Sequence, residues 1–134
     1  MSLSVTKPAI DIGIVTNNGE SMLAFYRDTL GLEFEATIPM PGGGTMHRFK
    51  VGESIVKIVE AEPRPEVDAP PGGIRGATGY RYWTIWVNDI AGAIGEIENA
   101  GSKVVVPVKE IRPGVTIAIV EDPDGNWLEL LESN

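Results

Sequence analysis

Residues 121–130 read EDPDGNWLEL, and this stretch decides how the rest of the chain is read. Asp122-Pro123-Asp124-Gly125 has the make-up of a tight turn. Pro and Gly supply its backbone angles, and Asp hydrogen-bonds its own backbone there. Trp127, Leu128, Leu130 and Leu131 then read as a strand that carries one carboxylate, Glu129, among apolar neighbours. An acid in such a strand needs a partner: a metal, a cation or a hydrogen-bond donor.

Working back from that strand, GVTIAIVE (114–121) and SKVVVPVKE (102–110) read as two more strands. Before them, IAGAIGEIENA (90–100) reads as a helix, with Asp89 as its N-cap and Gly101 as its stop. Ile90, Ile94 and Ile97 fall on one face of it. YRYWTIWV (80–87) is the strand that precedes the helix. The first half runs in the same order. AIDIGIVT (9–16) is a strand, and Asn18-Gly19 opens the helix ESMLAFYRDTL, which Gly31 stops. A strand from Leu32 to Ile38 follows, then PMPGGG, then TMHRFKV and SIVKIVEA joined at Gly52-Glu53, a hairpin signal. Each half therefore reads β-α-β-β-β. Module 1 covers about 9–60, a linker 61–79, and module 2 about 80–132, within a single domain of 1–134. The linker is rich in Pro and Gly, and reads as an exposed crossing loop or as a cover over a binding site.

Strand alternation sorts the polar residues. Val56 and Ile58 make one apolar face, which leaves Ile55, Lys57 and Val59 on the other. Phe49 and Val51 read as the helix side of their strand, so Arg48 and Lys50 point with Lys57. Leu128 and Leu130 pack on the helices, so Trp127, Glu129 and Leu131 face away from them. Tyr80, Tyr82, Thr84 and Trp86 fall together. His47 is the only histidine and falls on the helix side, as a structural or surface residue rather than a ligand.

Composition narrows the class of function. With 43% hydrophobic residues in 134, the chain supports a real core. Its 19 acidic and 11 basic residues give a formal charge of −8, which argues against nucleic acid or an anionic membrane surface as partner. It has no cysteine, so disulfide and thiolate chemistry are excluded, and a reducing cytoplasm fits. No apolar run approaches the roughly 18 residues of a membrane span, and MSLSVTKPA lacks the features of a secretory signal. Cytoplasmic residence is the expectation.

The β-α-β-β-β repeat, with FYRDTLGL closing the first helix and DPDGNWLEL closing the second unit, resembles the vicinal oxygen chelate superfamily. That group includes glyoxalase I, extradiol dioxygenases, fosfomycin-resistance proteins, methylmalonyl-CoA epimerase and the metal-free bleomycin-binding proteins. The resemblance covers about Ala9 to Ser133. It implies an α+β fold in which two βαβββ modules form a curved mixed sheet, with a concave cup on one side and helices on the convex side. Metal-using members place one ligand, often His, Glu or Gln, on the first and last strand of each unit. Carried over by position, those places here are Asp11, Lys57, Tyr82 and Glu129.

Only Glu129 matches the metal enzymes conventionally. Asp11 is shorter than the usual ligand. The Tyr82 hydroxyl ordinarily titrates near 10 and ligates poorly at neutral pH. The Lys57 ammonium has no lone pair and repels a cation. Asp11 and Glu129 with water would hold Mg²⁺ weakly, without the nitrogen-rich shell expected for Zn²⁺ or Ni²⁺. The resulting expectation is substitution: Lys57 sits in the metal's place between Asp11 and Glu129, and Tyr82 donates to one of the acids. The alternative is a polar core network left over from such a site. No cofactor is expected beyond a weakly held divalent ion.

Tyr80, Tyr82, Trp86 and Trp127, with Thr84 among them, offer surfaces for an aromatic ligand, and Arg48, Lys50 and Lys57 offer points for a carboxylate or phosphate. One reading is a glyoxalase/bleomycin-resistance-like protein that binds a small aromatic or anionic organic molecule without the usual His-based metal site. The other is a lyase, isomerase or dioxygenase-type enzyme, metal-free or weakly metal-dependent, with Glu129 or Asp11 as base and Lys57 or Arg48 steadying an enolate. The resemblance also implies a homodimer.

Overall fold

The computed structural model describes residues 2–134. They divide into two compact units, one ending at Glu66 and one beginning at Val67.

In the first unit β1 (Asp11–Val15) leads into α1 (Gly19–Leu23), and β2 (Glu33–Pro39), β3 (Gly44–Val51) and β4 (Ser54–Ala61) follow in a sheet of order β1-β4-β3-β2. The second unit repeats the plan. β5 (Tyr82–Trp86) precedes α2 (Ile90–Asn99), and β6 (Lys103–Arg112), β7 (Val115–Glu121) and β8 (Trp127–Ser133) complete a sheet of order β5-β8-β7-β6. In both sheets the first strand runs parallel to the last, and the other neighbours are antiparallel. These are two four-stranded mixed sheets in an α+β architecture of two βαβββ modules.

Two carboxylates identify the helix side of each sheet. The Glu60 carboxylate of β4 lies against Gly19, at the start of α1, in the space that a Cβ at position 19 would take. Glu132 of β8 accepts the backbone N–H of Ile90, the first residue of α2, at 2.9 Å. Val56, Ile58 and Phe49 therefore share the helix side with Glu60, and there they join Met22, Phe25 and Tyr26 in a fully buried core. Leu128 and Leu130 share that side with Glu132, against Ile90, Ile94 and Ile97. The alternate residues of both sheets form an open face.

The first helix departs from the regular helix that the sequence predicts. After Leu23 it winds more widely over Ala24–Thr29, where the N–H of Leu30 reaches back five residues to the carbonyl of Phe25 at 2.9 Å. The wider turn lets two consecutive aromatics enter the core. Phe25 and Tyr26 meet edge to face with ring centres 4.9 Å apart, and both are buried. Asp89 caps α2 as the sequence predicts, its carboxylate accepting the N–H of Gly92 at 3.2 Å.

Replacing Glu132 by Ala leaves the Ile90 N–H without its acceptor. The expected cost is about 1 kcal/mol of unfolding free energy, the usual penalty for a lost N-terminal cap. Urea denaturation measures it, and an unchanged midpoint would show that water serves the N–H equally well.

Candidate functional site

The open face of the second unit is built on Glu129. Cross-strand register puts Thr84 of β5 directly beside it and Ile119 of β7 on its other flank. The Thr84 hydroxyl donates to Glu129 Oε1 at 2.8 Å. Glu129 Oε2 accepts no hydrogen bond among the described residues. Around the carboxylate, Ile117, Ile119 and Leu131 form a buried apolar cluster with Val106 and Trp127 packed on it. The acid's partner is therefore a neutral hydroxyl, which satisfies one oxygen and leaves the charge uncompensated within its unit.

The aromatic residues on this face differ in what they present. Tyr82 and Trp86 alternate with Thr84 along β5 and are 51% and 70% exposed. The Tyr82 hydroxyl has no hydrogen-bond partner among the described residues, so Thr84, not Tyr82, does the donating to the acid. Trp127 is half-buried, with its indole N–H on Glu121 at 3.1 Å and its ring against Gly73. Tyr80 precedes β5 instead of sharing its alternation and is fully exposed. The strand begins only at Tyr82, after Arg81, whose guanidinium is held by backbone carbonyls of the preceding loop.

The open face of the first unit carries charge pairs. Lys57 Nζ meets Asp11 Oδ2 at 3.2 Å, across the parallel β1–β4 pair. Asp11 is one of the two acids expected beside Lys57 from the sequence; the other, Glu129, belongs to the second unit, where Thr84 donates to it. Arg48 lies directly opposite Lys57 on β3 and donates through Nε to Glu35 Oε1 at 2.6 Å. Lys50 meets Glu33 at 3.4 Å. Strict alternation along β2 would put Glu35 and Thr37 on one face. An irregularity between Phe34 and Ala36 shifts the register, so Glu35 reaches Arg48 on the open face while Thr37 pairs with His47 on the helix side. His47 holds both Thr37, at 2.9 Å through Nδ1, and Glu60, at 2.8 Å through Nε2.

Divalent-metal chemistry of the kind common in such folds has little to stand on here. Among the described residues no group of three or more His, Cys, Asp or Glu could hold an ion. At the two positions of the first unit, Asp11 is engaged by an ammonium that has no lone pair to give. At those of the second, Tyr82 offers only a phenol oxygen and Glu129 already shares an oxygen with Thr84. The donor set does not fit the ion.

The hydrogen bond from Arg48, aided by the charges of Arg48, Lys50 and Lys7 and opposed by desolvation, holds the Glu35 carboxyl below its ordinary value of 4.5. A depressed carboxylate stabilises the fold above its unfolded pKa, and that contribution is lost as pH falls through the lower folded value. NMR titration should find Glu35 titrating below 4.5 and returning towards it in Arg48→Met. An unchanged Glu35 in the variant would show that Arg48 is not its partner in solution.

Three comparisons bear on this arrangement. Residues 10–130 match the family model described as Glyoxalase/Bleomycin resistance protein/Dioxygenase superfamily. A probable lactoylglutathione lyase of Synechocystis sp. (strain ATCC 27184 / PCC 6803 / Kazusa) is 31% identical over 119 residues, covering 86% of this chain and 87% of its own. Among solved structures, a glyoxalase family protein from Enterococcus faecalis aligns over 96% of this chain and 97% of its own, at 24% identity and a TM-score of 0.68. TnmS3, an antibiotic binding protein from Streptomyces sp. CB03234, aligns over 100% and 99% at 18% identity with a TM-score of 0.72.

Proposed function

Because the chain belongs to the Glyoxalase/Bleomycin resistance protein/Dioxygenase superfamily, we propose that it binds a small organic molecule, aromatic or anionic, on the open faces of its sheets and does so without a His-based metal site. The observation that carries this reading is the exposed pair Tyr82 and Trp86 beside a half-buried carboxylate in an apolar setting. Exposed aromatic faces next to a few oriented polar groups are what a flat ligand needs. Tyr82, Trp86 and, at its edge, Trp127 supply stacking surface, and Tyr80 extends it. Thr84 and the free oxygen of Glu129 fix orientation. Arg48 and Lys57, each steadied by an acid on its own sheet, present donors to a ligand carboxylate. Antibiotic binding by the TnmS3 protein is in keeping with such a role. In this reading the two units act as one domain, the protein works as a homodimer, and it resides in the cytoplasm.

Glu129 also supports a second reading. One oxygen is held by Thr84 and the other is unengaged, the arrangement of an oriented general base. The 31% identity to a probable lactoylglutathione lyase favours this possibility. In that case Glu129 or Asp11 removes a proton from carbon, and Lys57 or Arg48 stabilises the enolate that forms.

Fluorescence titration with aromatic carboxylates and with cationic aromatic antibiotics tests the first reading. Trp86→Ala should weaken the best ligand about tenfold by removing one stacking face, and Glu129→Gln should alter preference for ligand charge. Elemental analysis of protein without a histidine tag should show metal well below one equivalent. Stoichiometric metal lost on Glu129→Ala, or ligand-free behaviour across the panel, would overturn the proposal.

A further inference from the structure

The loop ahead of β5 is fastened to the second unit's open face, and the fastening is specific. Gly73 opens a short 3₁₀ turn, Gly73–Arg75, with φ of +57°. Its Cα lies against the Trp127 indole, and a methyl group at this position would overlap the ring. Arg81 holds the turn from behind. Its guanidinium donates to the carbonyls of Gly73 at 2.7 Å, Pro70 at 2.8 Å and Pro71 at 3.2 Å. Gly76 closes the loop where a Cβ would strike the Pro71 carbonyl and the Arg81 fork. A cation served by neutral carbonyls, with no carboxylate paired to it among the described residues, is a fixed clamp and not a surface ion pair. Trp127 is itself fixed at its indole N–H, which donates to Glu121 at 3.1 Å.

We infer that residues 70–76 form a strap that closes one end of the second unit's open face over Trp127, and that Arg81 is a positioning residue which thereby sets the size of aromatic ligand accepted. The inference rests on the binding reading given above. With the strap fastened, Gly73 covers the Trp127 ring, so a compact ring system fits beside Tyr82 and Trp86 and a longer one meets the strap. Released, the strap exposes the indole and lengthens the stacking surface.

Two measurements decide the matter on the full chain. In protein labelled with 5-fluorotryptophan, the Trp127 resonance, assigned through Trp127→Phe, reports the strap directly. It should move towards the solvent-exposed position in Arg81→Ala and again in Gly73→Ala, which act on opposite sides of one contact. Calorimetric titration with benzoate and biphenyl-4-carboxylate then reads selectivity. Both variants should shift the affinity ratio towards the longer probe by about tenfold. An unmoved Trp127 resonance in both variants overturns the strap, and so does an equal change in affinity for the two probes, which marks a purely structural role. Failure of the unaltered protein to bind either probe overturns the aromatic-carboxylate reading instead, and the fastening of Trp127 is then judged on the fluorine shift alone.

Discussion

A parallel strand pair cannot be closed by a tight turn; the chain must leave the sheet and come back. Both units accept this constraint by pairing their first strand with their last, β1 with β4 and β5 with β8. The helix carries the chain away, and two antiparallel strands bring it back. The returning strand then meets the start of the helix and places a carboxylate there, Glu60 in one unit and Glu132 in the other. A helix N-terminus is a favourable place for negative charge. Once that acid is on the helix side, strand alternation sends residues 57 and 129 to the opposite face. The candidate site thus follows from how the core is closed.

The two open faces solve the problem of polar groups in different ways. In the first unit every cation of the face has an acid from a neighbouring strand: Lys57 with Asp11, Arg48 with Glu35, Lys50 with Glu33. Exposed pairs of this kind contribute little to stability, and their value lies in holding long side chains in set directions. In the second unit the acid has only a hydroxyl, and apolar side chains take the room that counter-charges would fill.

Much of this was legible in the sequence. The repeat, the DPDG turn, the Asp89 cap and the alternation of Lys57 and Glu129 all rest on local rules of period two and of capping, and the structure follows them. The placing of His47 on the helix side rests on the same alternation, and its two partners there are Thr37 and Glu60. What was not legible depends on non-local geometry. The irregularity in β2 that sends Glu35 to Arg48 has no glycine to announce it; the Glu33–Glu35 and Arg48–Lys50 charge spacing was the only signal. The widened turn at Ala24–Thr29 arises from burying neighbouring aromatics, which a helical wheel does not register. The ties from Arg81 to carbonyls of a Pro-Gly loop involve backbone acceptors, which are the same for any sequence.

Positions 57 and 129 are structural counterparts. One faces Gly13 and the other Thr84, each across the parallel pair of its own unit. They carry opposite charges, yet each takes its partner from within its own unit, Asp11 for the lysine and Thr84 for the glutamate. A duplicated unit organised in this way is modular in inheritance as well as in shape. A coordinated change at two neighbouring positions, 11 with 57 or 84 with 129, can therefore exchange the polar pair of one sheet while its strand register is kept.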